Sequence, residues 1–159
     1  YKIDNEYVIK YLLKSIISSY TKEFNINKIF LELKSQNILV SKNTLYNYLE
    51  YIENIFFVKK LNNFYSQKWF YKVYLYDLWF TNLFKQDNFI WKKLENAVFI
   101  QLLKKYWNLY YKKSKSEIDF YTLEADIQVA YELNSKDEER ELKPLKNSTE
   151  INQILIIKM

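Results

Sequence analysis

Glu117-Ile118-Asp119-Phe120 and Ile127-Gln128-Val129-Ala130 are the runs whose residue types could do chemistry. Each alternates in polarity, which predicts two strands joined by a tight turn. In the first, Ile118 and Phe120 face one way, and Asp119 and Tyr121 the other. Glu117 shares the Asp119 face, two residues away. In the second, Gln128, Ala130 and Glu132 oppose Ile127, Val129, Tyr131 and Leu133. An acid inside one strand beside a polar position inside the next is the skeleton of a metal-dependent phosphodiesterase centre. Such a centre needs two or three oxygen ligands converging on Mg²⁺ and a Lys to help activate water. A third acid, Glu95, falls in a helix expected from Phe89 or Ile90 to about Tyr106, with Leu94, Val98, Leu102 and Tyr106 as its core stripe. Glu95 lies at the edge of that stripe, where a carboxylate needs a cation, a metal or donors. The alternative is an ordinary acid near the helix N-terminus, favoured by the dipole.

Around these residues the pattern predicts a strand over 108–113, a charged helix over 136–147 interrupted by Pro144, and an apolar closing strand over 151–157. That last run reads as a central strand buried on both faces. Upstream, a first helix runs from about Ile3 to Phe24, with Val8, Leu12 and Ile16 inward. A second spans 25–37 behind an Asn25 or Asn27 cap, with Ile26, Ile29, Phe30 and Leu33 as its stripe. A third follows the Ser41 cap to about Asn54, with Leu45, Leu49 and Ile52 inward. Helix, short turn and capped helix is the helix-turn-helix plan. It leaves Lys42, Asn43, Thr44, Tyr46 and Asn47 outward, residue types that contact phosphates and base edges. Glu50 and Glu53 further along would repel a nucleic-acid backbone. Two β-rich runs, 55–61 and 69–76, would form a hairpin turning at Asn62-Asn63. Lys59, Lys60, Lys68 and Lys72 flank it among Tyr65, Trp69 and Tyr71, a mixture suited to backbone contact and base stacking. An aromatic hairpin packed on its neighbour is the competing reading. A short helix or turn over 77–84 and a linker at Gln86-Asp87-Asn88 follow.

Composition bounds the answer. The 159 residues are 49% hydrophobic and 19% aromatic, which suits a folded chain with a real core. There is no Cys and no His, which excludes disulfides, zinc centres and His acid–base catalysis. There is no Gly, which excludes phosphate-cradling loops and hands positive-φ turns to Asn or Asp, with Asn62-Asn63 and Asn134 as candidates. No apolar run approaches a membrane span, no leader is visible, and the start at Tyr1 suggests a fragment. Residues 1–116 carry 19 Lys against 9 acids, a balance of +10; residues 117–159 carry 5 Lys and Arg against 10 acids, a balance of −5. A basic first part is compatible with a nucleic-acid surface. Lys-rich solvated faces are the plainer explanation.

Taken together, residues 33–49, 72–77, 94–96, 117–120 and 127–133 resemble the C-terminal region of archaeal and bacterial AAA-type ATPases. In these, a winged helix precedes a PD-(D/E)xK nuclease-like domain of unknown function. The resemblance covers nearly the whole chain. It implies an α+β chain: a linking helix over 1–24, a winged helix-turn-helix over 25–86 and a restriction-endonuclease-like mixed α/β domain over 87–159. It also implies a site made of Glu95, Glu117, Asp119 and Gln128. Active members pair an Asp on the second strand with Glu-x-Lys on the third. Asp119 matches the Asp, but Gln128 and Ala130 replace the Glu and Lys. Sliding to Glu132 puts Asn134 at the Lys position. The implied centre is therefore degenerate, with Asp119 and Glu95 as weak Mg²⁺ ligands and no other cofactor in this chain. ATP would come only through a domain outside it. The resulting expectation is a non-catalytic, cytoplasmic DNA-binding or interaction module, with DNA and an ATPase domain of the same protein as partners and no membrane. The alternatives are a weak Mg²⁺-dependent endonuclease using the same four residues, and a protein-interaction or homo-oligomerisation element.

Overall fold

Helix α1 (Glu6–Ser19) starts at an Asn5 cap, whose side chain accepts from the Val8 amide. It buries Val8, Leu12 and Ile16, the stripe its 3.6-residue period predicts. The chain is described as a computed structural model over residues 5–66, 70–83, 90–114, 116–131, 138–148 and 152–157. The expectations for Ile3, Lys68, Trp69, the 86–88 linker, Glu132, Leu133, Asn134 and Lys136 lie outside those residues.

The first helix is shorter than its pattern suggested. After Ser19 the chain turns, and β1 (Glu23–Phe24) pairs antiparallel with a later strand. Helix α2 (Ile26–Ser35) follows an Asn25 cap, and α3 (Lys42–Asn54) a Ser41 cap that accepts from the Thr44 amide. Both end in the same way. The Asn37 amide donates to the Lys34 carbonyl and Ile38 to Leu33; Phe56 donates to Glu53 and Phe57 to Ile52. This double bond pattern needs a left-handed residue at the first position past the helix cap, normally Gly. Asn37 (φ 59°) and Phe56 (φ 55°) fill that role here, and Thr21 (φ 64°) is left-handed too. None of these falls at Asn62-Asn63, the site expected for a positive-φ turn.

Strand β2 (Val58–Asn62) and strand β3 (Tyr71–Leu75) form a hairpin, and β1 joins the far side of β3, giving the order β1-β3-β2. A 3₁₀ segment, Leu78–Leu83, leads toward α4 (Ile90–Lys105). A four-stranded sheet follows: β4 (Leu109–Lys113), β5 (Glu117–Thr122), β6 (Asp126–Ala130) and β7 (Gln153–Ile157), in that spatial order. The first two pairings are antiparallel and β6–β7 is parallel, with α5 (Glu138–Lys146, Pro144 inside it) in the crossover. The chain is thus an α+β protein. Strand β7 is not the central, doubly buried strand its apolar sequence predicts. It sits at an edge of the described sheet, and Ile154 and Ile157 are exposed.

Two apolar clusters organise the interior. One gathers α1, α2, α3 and the Val58, Val73 and Leu75 side chains; the other gathers Leu61, Tyr74, Phe99, Tyr111, Phe120 and Ile127. Strand β3 serves both. Its successive side chains point to opposite faces, so Val73 and Leu75 enter the helical cluster while Tyr74 enters the second. The hairpin is also stitched to the larger sheet: Asn63 bridges Tyr111, the Phe64 amide donates to the Tyr111 carbonyl at 2.8 Å, and Asn63 Nδ2 donates to the Lys113 carbonyl at 3.3 Å. With β1 on one side and β2 on the other, β3 has no free edge.

Candidate functional site

Strand β3 alternates Lys72 and Tyr74 with Val73 and Leu75, and its polar side faces α4 and β5. On α4 the most buried positions are Lys92, Glu95, Asn96 and Phe99, the i, i+3, i+4, i+7 stripe. The expected stripe of Leu94, Val98, Leu102 and Tyr106 is only partly buried. A helix buries its polar side only where that side finds partners, and each polar residue here has them. Asn96 clamps the end of β3: its Oδ1 accepts from the Leu75 amide at 2.8 Å and its Nδ2 donates to the Leu75 carbonyl at 2.9 Å. Lys92 Nζ donates to the Ser18 carbonyl of α1 at 3.2 Å. Phe99 stacks on Tyr74, with ring centroids 4.3 Å apart.

Asp119 reaches the same space through a break in regular pairing. Tyr110 opposes Tyr121 and Lys112 opposes Ile118, so Asp119 and Phe120 together face the single residue Tyr111. This is a β-bulge, which re-aims side chains. It explains why Phe120 packs on Tyr74 and Phe99 while its neighbour Asp119 meets Lys72 from β3. Strict alternation would have sent the two to opposite faces. Described pairing between β5 and β6 covers only Phe120–Ile127 and Tyr121–Asp126. Beyond it side chains take over: the Val129 amide donates to Asp119 Oδ2 at 3.0 Å, and the Asp119 amide donates to Gln128 Oε1 at 3.4 Å.

The centre of the site is the Lys72 ammonium, on a residue only 2% exposed. It lies 3.2 Å from Glu95 Oε1, 3.2 Å from Asp119 Oδ1 and 2.9 Å from Glu117 Oε1. Tyr74 donates to the same Glu95 oxygen at 2.7 Å. The network continues to the surface. Lys113 contacts Glu117 at 3.3 Å and Glu23 at 2.8 Å, and the Tyr111 hydroxyl donates to Glu23 at 3.0 Å. Lys72 flanks the hairpin, as its sequence suggests, but it is the internal counter-ion of three acids.

Electrostatics follows from this packing. Burial opposes the Lys72 charge, but the Tyr74 oxygen and the Glu95, Asp119 and Glu117 carboxylates outweigh it and hold the ammonium well above its usual range. Burial keeps Tyr74 a neutral phenol, so the carboxylates are the effective counter-charges. Burial lifts Glu95 to about 7 against the pull of Lys72, and Asp119 adds to the rise. Burial also raises Asp119, with Lys72 and the Val129 amide pulling the other way. Burial would raise Glu117 too, but Lys72 and Lys113 beside it hold it below the ordinary carboxylate range. Near neutrality the cluster therefore keeps a proton on Glu95 part of the time.

This arrangement does not suit Mg²⁺. The ion needs several free anionic oxygens in octahedral geometry. Asp119 has both oxygens engaged, Glu95 Oε1 takes two donors, and Gln128 Oε1 is turned to the Asp119 amide. Among the described residues, no group of three or more His, Cys, Asp or Glu is set to hold a metal. Lys112, next to the bulge, pairs with buried Asp126 at 2.9 Å, and Ser148 donates to the other Asp126 oxygen.

The expected nucleic-acid residues divide. Lys42, Asn43, Tyr46 and Asn47 are exposed on the first turns of α3. Thr44 is half-buried, its hydroxyl 2.9 Å from Ser41 Oγ in the helix cap. Lys59 and Lys60 both pair with Glu53, at 3.5 and 2.9 Å, so Glu53 is neutralised rather than repelling. Sequence reasoning missed Tyr74, the role of Lys72 and the Glu53 pairing. The one available signal was the alternation of Lys72-Val73-Tyr74-Leu75, which fits a strand covered on both sides.

No family model and no solved structure matches the chain. It is similar to an uncharacterised protein of Methanocaldococcus jannaschii, 37% identical over 156 residues and 90% of this chain. The chain spans only 35% of that relative's length. Among the described residues no helix is long and apolar enough to cross a membrane.

Proposed function

We propose that this chain is a DNA-binding module on a nuclease-like scaffold whose centre is closed by its own lysine, so that it does not cut DNA. The observation that carries the reading is the Lys72 ammonium among the Glu95, Glu117 and Asp119 carboxylates. A phosphodiesterase of this plan needs a metal among its acids and a Lys beside the attacking water. Here the ammonium takes the cation's place, and position 130 is Ala. The scaffold reading is supported by element order. Helices α2 and α3, the β2–β3 hairpin and β1 follow the winged-helix plan; α4, β4, β5, β6, α5 and β7 follow the restriction-endonuclease-like plan. The DNA part is supported by exposed Lys42, Asn43, Tyr46 and Asn47 at the start of α3 and by the +10 balance of residues 1–116. Work in the cytoplasm, as part of a longer chain carrying an ATPase domain, goes with this reading. The length of the M. jannaschii relative leaves room for such a domain.

A gel-shift titration over a salt series, run beside a Mg²⁺ and Mn²⁺ cleavage assay, tests it. The expected result is salt-sensitive duplex binding without cleavage. Replacing Lys42, Lys59 and Lys60 with Ala should weaken binding and flatten the salt slope by about 3 at most. Unchanged binding by the triple variant would rule out this face. Robust cleavage lost in Asp119→Ala would establish the nuclease instead.

A further inference from the structure

Between the helical unit and the larger sheet runs a groove of about 520 Å³. Tyr46 of α3, Lys59, Lys60 and Asn62 of β2, and Trp107 and Asn108 of the α4–β4 turn line it. Trp107 decides its character. The indole is 101% exposed, and among the described residues it has no ring or hydrogen-bond partner. A wholly solvated Trp forgoes the large gain of burying its ring, so this one is placed for something outside the chain. Tyr46, across the groove, is also exposed. Tyr71 forms part of the wall, and its buried hydroxyl has no hydrogen-bond partner among the described residues. Lys59 and Lys60 face the groove with Glu53 between them, leaving it one net positive charge.

We infer that this groove binds single-stranded DNA, stacking unpaired bases on Trp107 and Tyr46 and holding the intervening phosphates with Lys59 and Lys60. Flat exposed rings offer a base face a partner only when that base is unstacked, which a duplex interior does not provide. The lysines supply charge complementary to phosphate, and the Asn62 and Asn108 amides can donate to or accept from base edges. The volume lies within the range of about 300–1,000 Å³ typical of ligand sites and suits on the order of one or two nucleotides. The groove borders the exposed face of α3, so a strand leaving a bound duplex could enter it directly. The inference rests on the DNA-binding reading above and adds the strand state.

The test is fluorescence anisotropy with labelled oligo-dT, oligo-U and a duplex of equal length, on the intact chain, Trp107→Ala and Trp107→Phe. Full exposure means that the substitutions leave the fold alone, which matching melting curves should verify. Expected is a loss of oligo-dT affinity of roughly 5- to 100-fold for Trp107→Ala. Trp107→Phe should recover part of it, and duplex affinity should not change. Replacing Lys59 and Lys60 together should flatten the oligo-dT salt slope by about 1.4. Oligo-dT binding indifferent to Trp107 while the duplex still binds overturns this inference and leaves the DNA-binding reading standing. No binding of any of the three nucleic acids overturns both. Tighter binding of oligo-U than of oligo-dT overturns the assignment to DNA.

Discussion

Lys72 and Glu95 set the behaviour of the molecule at the scale of single residues. Glu95 is raised by burial to about 7, against an ordinary 4.5. The folded state therefore keeps a proton that the unfolded chain gives up. For an acid raised on folding, the stabilising contribution is fully present below about pH 4.5 and is lost as pH rises through about 7. The parent should lose stability between about pH 5 and 7.5, by up to about 3 kcal/mol from this group. Glu95→Gln, which cannot ionise, should flatten that slope in urea melts run across the window. Equal slopes in parent and variant would mean that Glu95 is ionised throughout. Glu117, held low by Lys72 and Lys113, changes stability only below this window, and Asp119, also raised by burial, adds a slope of the same sign in both proteins, so the difference between parent and variant is what reports Glu95.

At the scale of elements, β3 and α4 join the two apolar clusters. Asn96 is the clearest hinge pin between them, since its amide satisfies both backbone groups of Leu75. Asn96→Ala leaves a buried N–H and C=O unpaired, at about 1–3 kcal/mol for each such group. Chemical denaturation should show a loss of about 2–4 kcal/mol with both clusters still melting in one transition. A loss below about 1 kcal/mol, or two separate transitions, would show that the clamp does not couple them. The elements also show what a sequence can reveal. Asn25 and Ser41 announce α2 and α3 because a cap and an apolar stripe are local signals, and the Glu117–Thr122 and Asp126–Ala130 alternations are likewise local. The β5 bulge is not local, because it depends on the register of β4. The burial of Lys72 was hidden for the same reason: β3 reads as a wing strand until Asn63, Phe64 and Tyr111 tie its hairpin to the larger sheet. Strand β7 misled in the opposite sense. Its run of apolar residues looks central, but what decides its burial is the partner on its outer side.

Over the whole molecule, charge is arranged in a line rather than scattered. Glu23, Lys113, Glu117 and Lys72 alternate in sign from the surface inward and end at Asp119 and Glu95. The line crosses β1, β4, β5, β3 and α4, so β3 supplies the buried cation, and β5 and α4 supply the acids around it. Removing one member of a buried ionic cluster costs about 3–5 kcal/mol, because the remaining charges lose their partner. Lys72→Met should therefore be strongly destabilised. Its three acids should then accept a divalent ion in place of the ammonium. Thermal melts of the parent and of Lys72→Met with and without MnCl₂ measure it. The parent melting temperature should be indifferent to Mn²⁺. The variant should be rescued by about 2.7 kcal/mol at 100-fold excess over its Kd, about 5–10 °C for a chain of this size. A parent stabilised by Mn²⁺ through Glu95 and Asp119, or a variant that Mn²⁺ leaves unchanged, would show that Lys72 does not occupy a cation's place.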